Sequence, residues 1–143
     1  MSVDGIPAGG LKTVGQIVTT NTLTFREGQD GLAIAVALVS SHTPGAPVVD
    51  RTGKYLGFIN EFDVMRALDA GKDLSKLTAE EIMRKDRLAV TASTKIADAA
   101  RQMEEHSVLN LPVERDGEVA YSVSPHDLLR AWIGLGLGMG IDP

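Results

Sequence analysis

Two pairs of polar residues, one in each half of the chain, have the types and spacing to hold an anion or a diol. Ser124 is followed three residues later by Asp127, and Asn60 is followed at the same interval by Asp63. Where a helix begins at such a pair, a hydroxyl and the free N–H groups of the first turn favour an anion. A carboxylate one turn in then accepts two hydrogen bonds from a diol. The same spacing also makes a capping box, in which the two side chains satisfy the helix's own N–H groups and contribute about 1 kcal/mol. For Ser124 and Asp127 the two roles are compatible. Asn60 lacks the hydroxyl and reads as a plain N-cap.

Arg84, Lys85 and Arg87 form the densest basic stretch in an acidic chain, with Asp86 among them. They carry the charge to neutralise a phosphate, but on sequence alone they read first as a solvated loop of mixed charge. Catalytic patterns do not emerge. His42, His106 and His126 are too scattered for a metal set, and no pair has the spacing of a helical metal site. Glu80, Glu81, Glu104 and Glu105 fall on helix faces turned toward water, which is poor ground for paired acid and base work. The absence of Cys removes a thiolate nucleophile, a Cys-based metal site and a disulfide framework. There is no Gly-rich phosphate loop and no nucleophile elbow. The chain therefore reads as one that binds and does not convert.

Composition narrows the partners. A formal net charge of -5 and a pI near 5.1, with no dominant basic cluster, argue against nucleic acid. The longest apolar run inside the body, residues 32–39, falls far short of the roughly 20 residues needed to cross a bilayer, so no membrane is expected. Residues 1–10 lack the basic and apolar regions of a secretory signal, and a cytoplasmic location is the expectation. With 143 residues there is room for two tightly packed half-domains.

The elements that must position the polar pairs come as a repeat. At a spacing of 65, Ile17 aligns with Ile82, Leu23 with Leu88, Ala35 with Ala100, Leu38 with Met103, Pro47 with Pro112 and Val48 with Val113. Past that stretch Asp63, Arg66 and Ala67 match Asp127, Arg130 and Ala131 at a spacing of 64. Internal repetition decides architecture before any local motif. It gives two units, residues 11–72 and 73–134, and a Gly-rich tail at 135–143. In the second unit, residues 80–83 read as a helical turn and 88–91 as a short strand. Ile96, Ala99, Ala100 and Met103 recur at helix spacing, with Ser93 or Thr94 placed as the cap. Residues 111–114 and 119–123 form a hairpin around Asp116-Gly117, and Ser124-Pro125 opens a last helix. The first unit repeats the plan, with residues 50–53 as its turn and Gly71 as its helix stop.

The ordered set Glu81-Ile82-Met83, Leu111-Pro112-Val113, Asp116-Gly117 and Ser124-Pro125-His126-Asp127 resembles the cystathionine-β-synthase (CBS) domain family. Its first copy reads Gln16-Ile17-Val18, residues 46–50, Gly53, Gly57-Phe58-Ile59 and Asp63, so the resemblance is to the tandem pair called a Bateman module. It covers residues 14–132. The resemblance implies an α/β (α+β) fold of two units, each a small sheet with two packed helices, related by a pseudo-two-fold axis. It implies a non-catalytic regulatory module whose cleft between the units takes an adenosine-type ligand such as AMP, ADP or ATP, with no further cofactor and no metal. Ser124 and Asp127 would meet the phosphate and ribose, with Val123, Pro112, Met83 and Arg84 around the ligand. Asn60 and Asp63 are the corresponding pair of the first copy. Tyr121 stands where the family has Gly and would crowd the pocket.

Two segments depart from a regular copy. Residues 31–39 carry no charge, where the second unit has Asp98, Arg101, Gln102 and Glu104. A helix apolar on every side needs cover, and a second copy of the chain is the simplest cover, so a homodimer is expected, reporting to an unidentified protein effector. Residues 132–141 alternate Gly with large apolar side chains, as an extended arm or a disordered tail would. The competing functional reading is a ligand-free dimerisation or protein-interaction scaffold in which Ser124 and Asp127 only cap their helix.

Overall fold

The computed structural model describes residues 12–17 and 21–134. The Gly-rich tail at 135–143, with its reading as an arm, lies outside the described residues. The chain divides into two small units, each with a three-stranded sheet and helices. The first-repeat unit is Leu23–Leu88 with Asp116–Val119. The second-repeat unit holds, among the described residues, 12–17, 21–22, 89–115 and 120–134.

In the first-repeat unit the sheet runs β1 (Phe25–Arg26), β2 (Gly45–Val49) and β3 (Tyr55–Asn60) in that order. β1 pairs parallel with β2, and β2 pairs antiparallel with β3 across the turn at Asp50, whose carboxylate accepts from the N–H groups of Thr52 and Lys54. Between β1 and β2 lies helix α1 (Gly31–Ser41), capped by Asp30, which accepts from the Ala33 N–H at 2.9 Å. After β3 comes α2 (Glu61–Asp69), and Gly71 stops it at φ 76°. The short helix α3 (Ala79–Ile82) closes the unit. Phe25, Ile34, Leu38, Val48, Ile59 and Val64 pack as one aliphatic-rich core, the product of period 2 on the strands and period 3.6 on the helices.

The second-repeat unit is built alike from β4 (Val90–Thr91), α4 (Ile96–His106), β5 (Leu111–Arg115), the part of β6 (Glu118–Val123) from Ala120 on, and α5 (Pro125–Trp132). Asp116 and Gly117 both take positive φ, 55° and 82°, as the two-residue turn between β5 and β6 demands. Ile96, Ala99, Met103, Leu111, Val113, Val123 and Leu128 are its buried side chains. Helices α1 and α4 end in the same way. His42 and Ser107 sit at φ 54° and 53°, and the next N–H in each case returns to a carbonyl of the last helical turn, Thr43 to Leu38 and Val108 to Met103.

The cap of α4 differs from the expectation. Lys95 occupies the N-cap and makes no side-chain cap bond, while the Thr94 hydroxyl accepts from the Thr91 N–H. Ser93 and Thr94 are not needed, because the Ile96 N–H is already taken at 2.9 Å by the Lys12 carbonyl. Gly31 N–H donates in the same way to Leu77 O at 2.8 Å. Each long helix is thus capped in part by the segment that precedes the other repeat in sequence. That segment packs closely, since a Cβ on Gly15 would lie 2.7 Å from the Ala92 carbonyl oxygen. Among the described residues no helix is long and apolar enough to cross a membrane.

Candidate ligand site

The eight residues singled out from the sequence fall into two sets, four in each unit. Val123, Ser124, Asp127 and Pro112 lie in the second-repeat unit. Ser124 is the N-cap of α5, in extended conformation, and its hydroxyl accepts from the Asp127 N–H at 3.1 Å. Asp127 answers by accepting from the Ser124 N–H through Oδ2 at 2.9 Å. Pro125 at the first helical position has no N–H to satisfy and fixes the helix start. Both polar side chains are half-buried, whereas Val123 and Pro112 are fully buried and contribute wall and backbone. Among the described residues no cation lies within ion-pair distance of Asp127, although Arg130 stands three residues on and is exposed.

Asn60, Asp63, Met83 and Arg84 lie in the first-repeat unit. Asn60 caps α2 as expected, its amide oxygen accepting from Asp63 N–H at 2.9 Å while Asp63 Oδ2 accepts from Asn60 N–H at 2.9 Å. Here the carboxylate goes further. Asp63 Oδ1 receives Arg84 Nε at 3.0 Å and also Arg66 Nη2, and its side chain is only 4% exposed. Arg84, expected as part of a phosphate-neutralising loop, gives its Nε to the first copy's acid. Lys85 and Arg87 are exposed.

The local cause is Gly57. Phe58 N–H donates to Arg84 O at 2.9 Å and Arg84 N–H to Phe58 O at 2.8 Å. A Cβ on residue 57 would stand 2.4 Å from that Arg84 oxygen and 2.7 Å from Met83 Sδ, so only Gly lets residues 83 and 84 lie against β3. At the matching place in β6, Tyr121 is half-buried and donates its hydroxyl to Val14 O at 3.0 Å. Burial pushes the pKa of that phenol up from 10.0, with Arg115 opposing weakly. Sequence reasoning gave Arg66 no role at Asp63. Its position three residues after the acid is a signal, but Arg130 has the same position and makes no such bond.

His42, His106 and His126 are exposed, and among the described residues no group of three or more His, Cys, Asp or Glu is placed to hold a metal ion. Glu80, Glu81, Glu104 and Glu105 are exposed as well. Helices α4 and α5 border an apolar groove of about 680 Å³ lined by Ala100, Val108, Leu109, Pro125, Leu129 and Trp132 among others. On α1 and α2, Leu32, Val36, Val39, Phe62, Met65 and Leu68 are each more than half exposed.

Comparison with known proteins adds a family and several relatives. The family model described as "CBS domain" matches residues 14–70 and 79–134. A homoserine O-acetyltransferase of Methanohalophilus mahii is 25% identical over 127 residues, covering 89% of this chain and 26% of that protein. The chain thus spans about a quarter of that relative's length. Among solved structures, the CBS domain of a CBS domain containing membrane protein from Sphaerobacter thermophilus is 26% identical, with a TM-score of 0.68 over 83% of this chain and 86% of that one. The CBS domain pair of protein MJ0100, in complex with 5'-methylthioadenosine and S-adenosyl-L-methionine, is 25% identical with a TM-score of 0.72 over 82% and 93%.

Proposed function

Because the chain belongs to the CBS domain family as a tandem pair, we propose that it is a non-catalytic, cytoplasmic regulatory module that binds an adenosine-type ligand through Ser124 and Asp127. Its two domains are the repeats at residues 11–72 and 73–134. The observation that carries the reading is the start of α5, where a hydroxyl, the first-turn N–H of His126 and a carboxylate with no cation on it among the described residues stand together. The N-terminus of α5 suits a phosphate and the second oxygen of Asp127 suits a ribose diol. Adenosine compounds on the MJ0100 pair support the ligand class. The module acts as a homodimer through the apolar face of α1, and ligand occupancy is passed to a protein effector. Isothermal titration of the full chain with AMP, ATP and S-adenosyl-L-methionine tests the reading. Saturable binding that Asp127→Ala weakens supports it, and no heat from any of the three removes it.

The second reading is a scaffold that dimerises without ligand. The closed capping box of Ser124 with Asp127 and the exposed apolar side chains of α1 and α2 favour it. A dimer indifferent to all three compounds would select this reading.

A further inference from the structure

We propose that Arg84 is an internal occupant that shuts the first repeat's half-site, so that each chain offers one open half-site, at Ser124 and Asp127. The proposal rests on the ligand class just given. A carboxylate has about four lone-pair sites. On Asp63 three are already used, by Asn60 N–H, Arg84 Nε and Arg66 Nη2. Bonds from a charged donor are about twice as strong as those from a neutral hydroxyl. A sugar diol would therefore have to displace a guanidinium from an acid that is 4% exposed and cannot fall back on water.

Arg84 does not lie there by chance of a long side chain. Its backbone is bonded both ways to Phe58, and Gly57 is what permits that approach. The second unit has the same capping box and the same Arg three residues after the acid, yet Tyr121 replaces the Gly and among the described residues no cation reaches Asp127. One niche is filled from within and the other is left for a ligand. Because the Arg84 side chain is 46% exposed, it can be truncated without opening the core.

The test titrates AMP into the parent chain, Arg84→Gln, Asp127→Ala and the double variant, all full length. The expected results are one site per chain in the parent, two in Arg84→Gln, and in the double variant one site that binds AMP about tenfold or more tighter than Asp127→Ala alone does. If Arg84→Gln keeps one site that Asp127→Ala abolishes, the ligand reading stands and the occupant is wrong. If binding survives Asp127→Ala and is lost in Asp63→Asn, the first half-site is open and the proposal falls. Should no variant bind AMP, the ligand reading fails. The occupant is then judged by a thermal double-mutant cycle of Arg84→Gln with Asp63→Asn, where additive effects overturn it.

Discussion

The buried faces of the two units match each other, and the exposed faces of their long helices differ. Ile34 and Leu38 of α1 occupy the places of Ala99 and Met103 of α4, all buried, and both helices end in a left-handed residue. Outside, α1 shows Leu32, Val36 and Val39, while α4 shows Arg101, Glu104 and Glu105. At the polar niches, Gly57 with Arg84 stands against Tyr121 with an Asp127 that no cation reaches among the described residues. What the core needs is kept in both copies, because each small unit has little apolar area to spare. What they do not need has been free to diverge into different surfaces.

The largest effect should come from the outer face of α1. Val36→Glu is expected to split the proposed homodimer and halve its mass in light scattering, since it puts a charge in an apolar interface. Arg101→Glu, at the matching place in α4, should leave the mass unchanged. A parent protein that is already monomeric at micromolar concentration would remove the contrast. Next is Gly57→Ala, which forces a Cβ to 2.4 Å from a backbone oxygen and should cost about 3 kcal/mol in chemical denaturation. The reciprocal Tyr121→Gly should cost the half-buried ring together with its hydroxyl bond to Val14 O in the same measurement.

The polar niches give an intermediate effect of a different kind. Asp127→Ala should weaken adenosine-ligand binding by about 1.5 to 3 kcal/mol, as expected for a hydrogen bond to a charged group, and cost about 1 kcal/mol of stability as a lost cap. Asp63→Ala should do the reverse, with little effect on affinity and a larger drop in melting temperature, because it strips Arg84 and Arg66 of their shared acid. Calorimetric titration beside thermal denaturation separates the two. Equal losses of affinity would mean that both niches bind.

Much of this was legible beforehand. The repeat, the strand and helix order, the hairpin turns and the caps at Asn60 and Ser124 follow from local patterns of period and turn chemistry, and the structure carries all of them. Non-local choices were not legible. Lys12 capping α4 is a contact between residues 84 positions apart, so a search for the cap near Ser93 had no signal of it. Asp63 with Arg66 and Asp127 with Arg130 have identical spacing, yet only the first pair is joined. The difference comes from Arg84, which reaches Asp63 because Gly57 admits its backbone.

The smallest effect concerns Tyr121, the residue that most separates β6 from β3. Its hydroxyl donates to Val14 O at 3.0 Å, so Tyr121→Phe should cost about 1 kcal/mol, the net worth of one neutral hydrogen bond. The phenol's pKa is raised by burial above 10.0 in the folded chain. Well below pH 10.0 the group is protonated in both states, and its contribution is constant. As the pH climbs past that value the unfolded chain gives up its proton first, so unfolding is favoured, and the contribution is gone once the pH has passed the raised folded value. The parent should therefore lose more melting temperature between neutral pH and pH 10.5 than Tyr121→Phe does. Parallel curves for the two proteins would show that the Tyr121 phenol is not buried in solution.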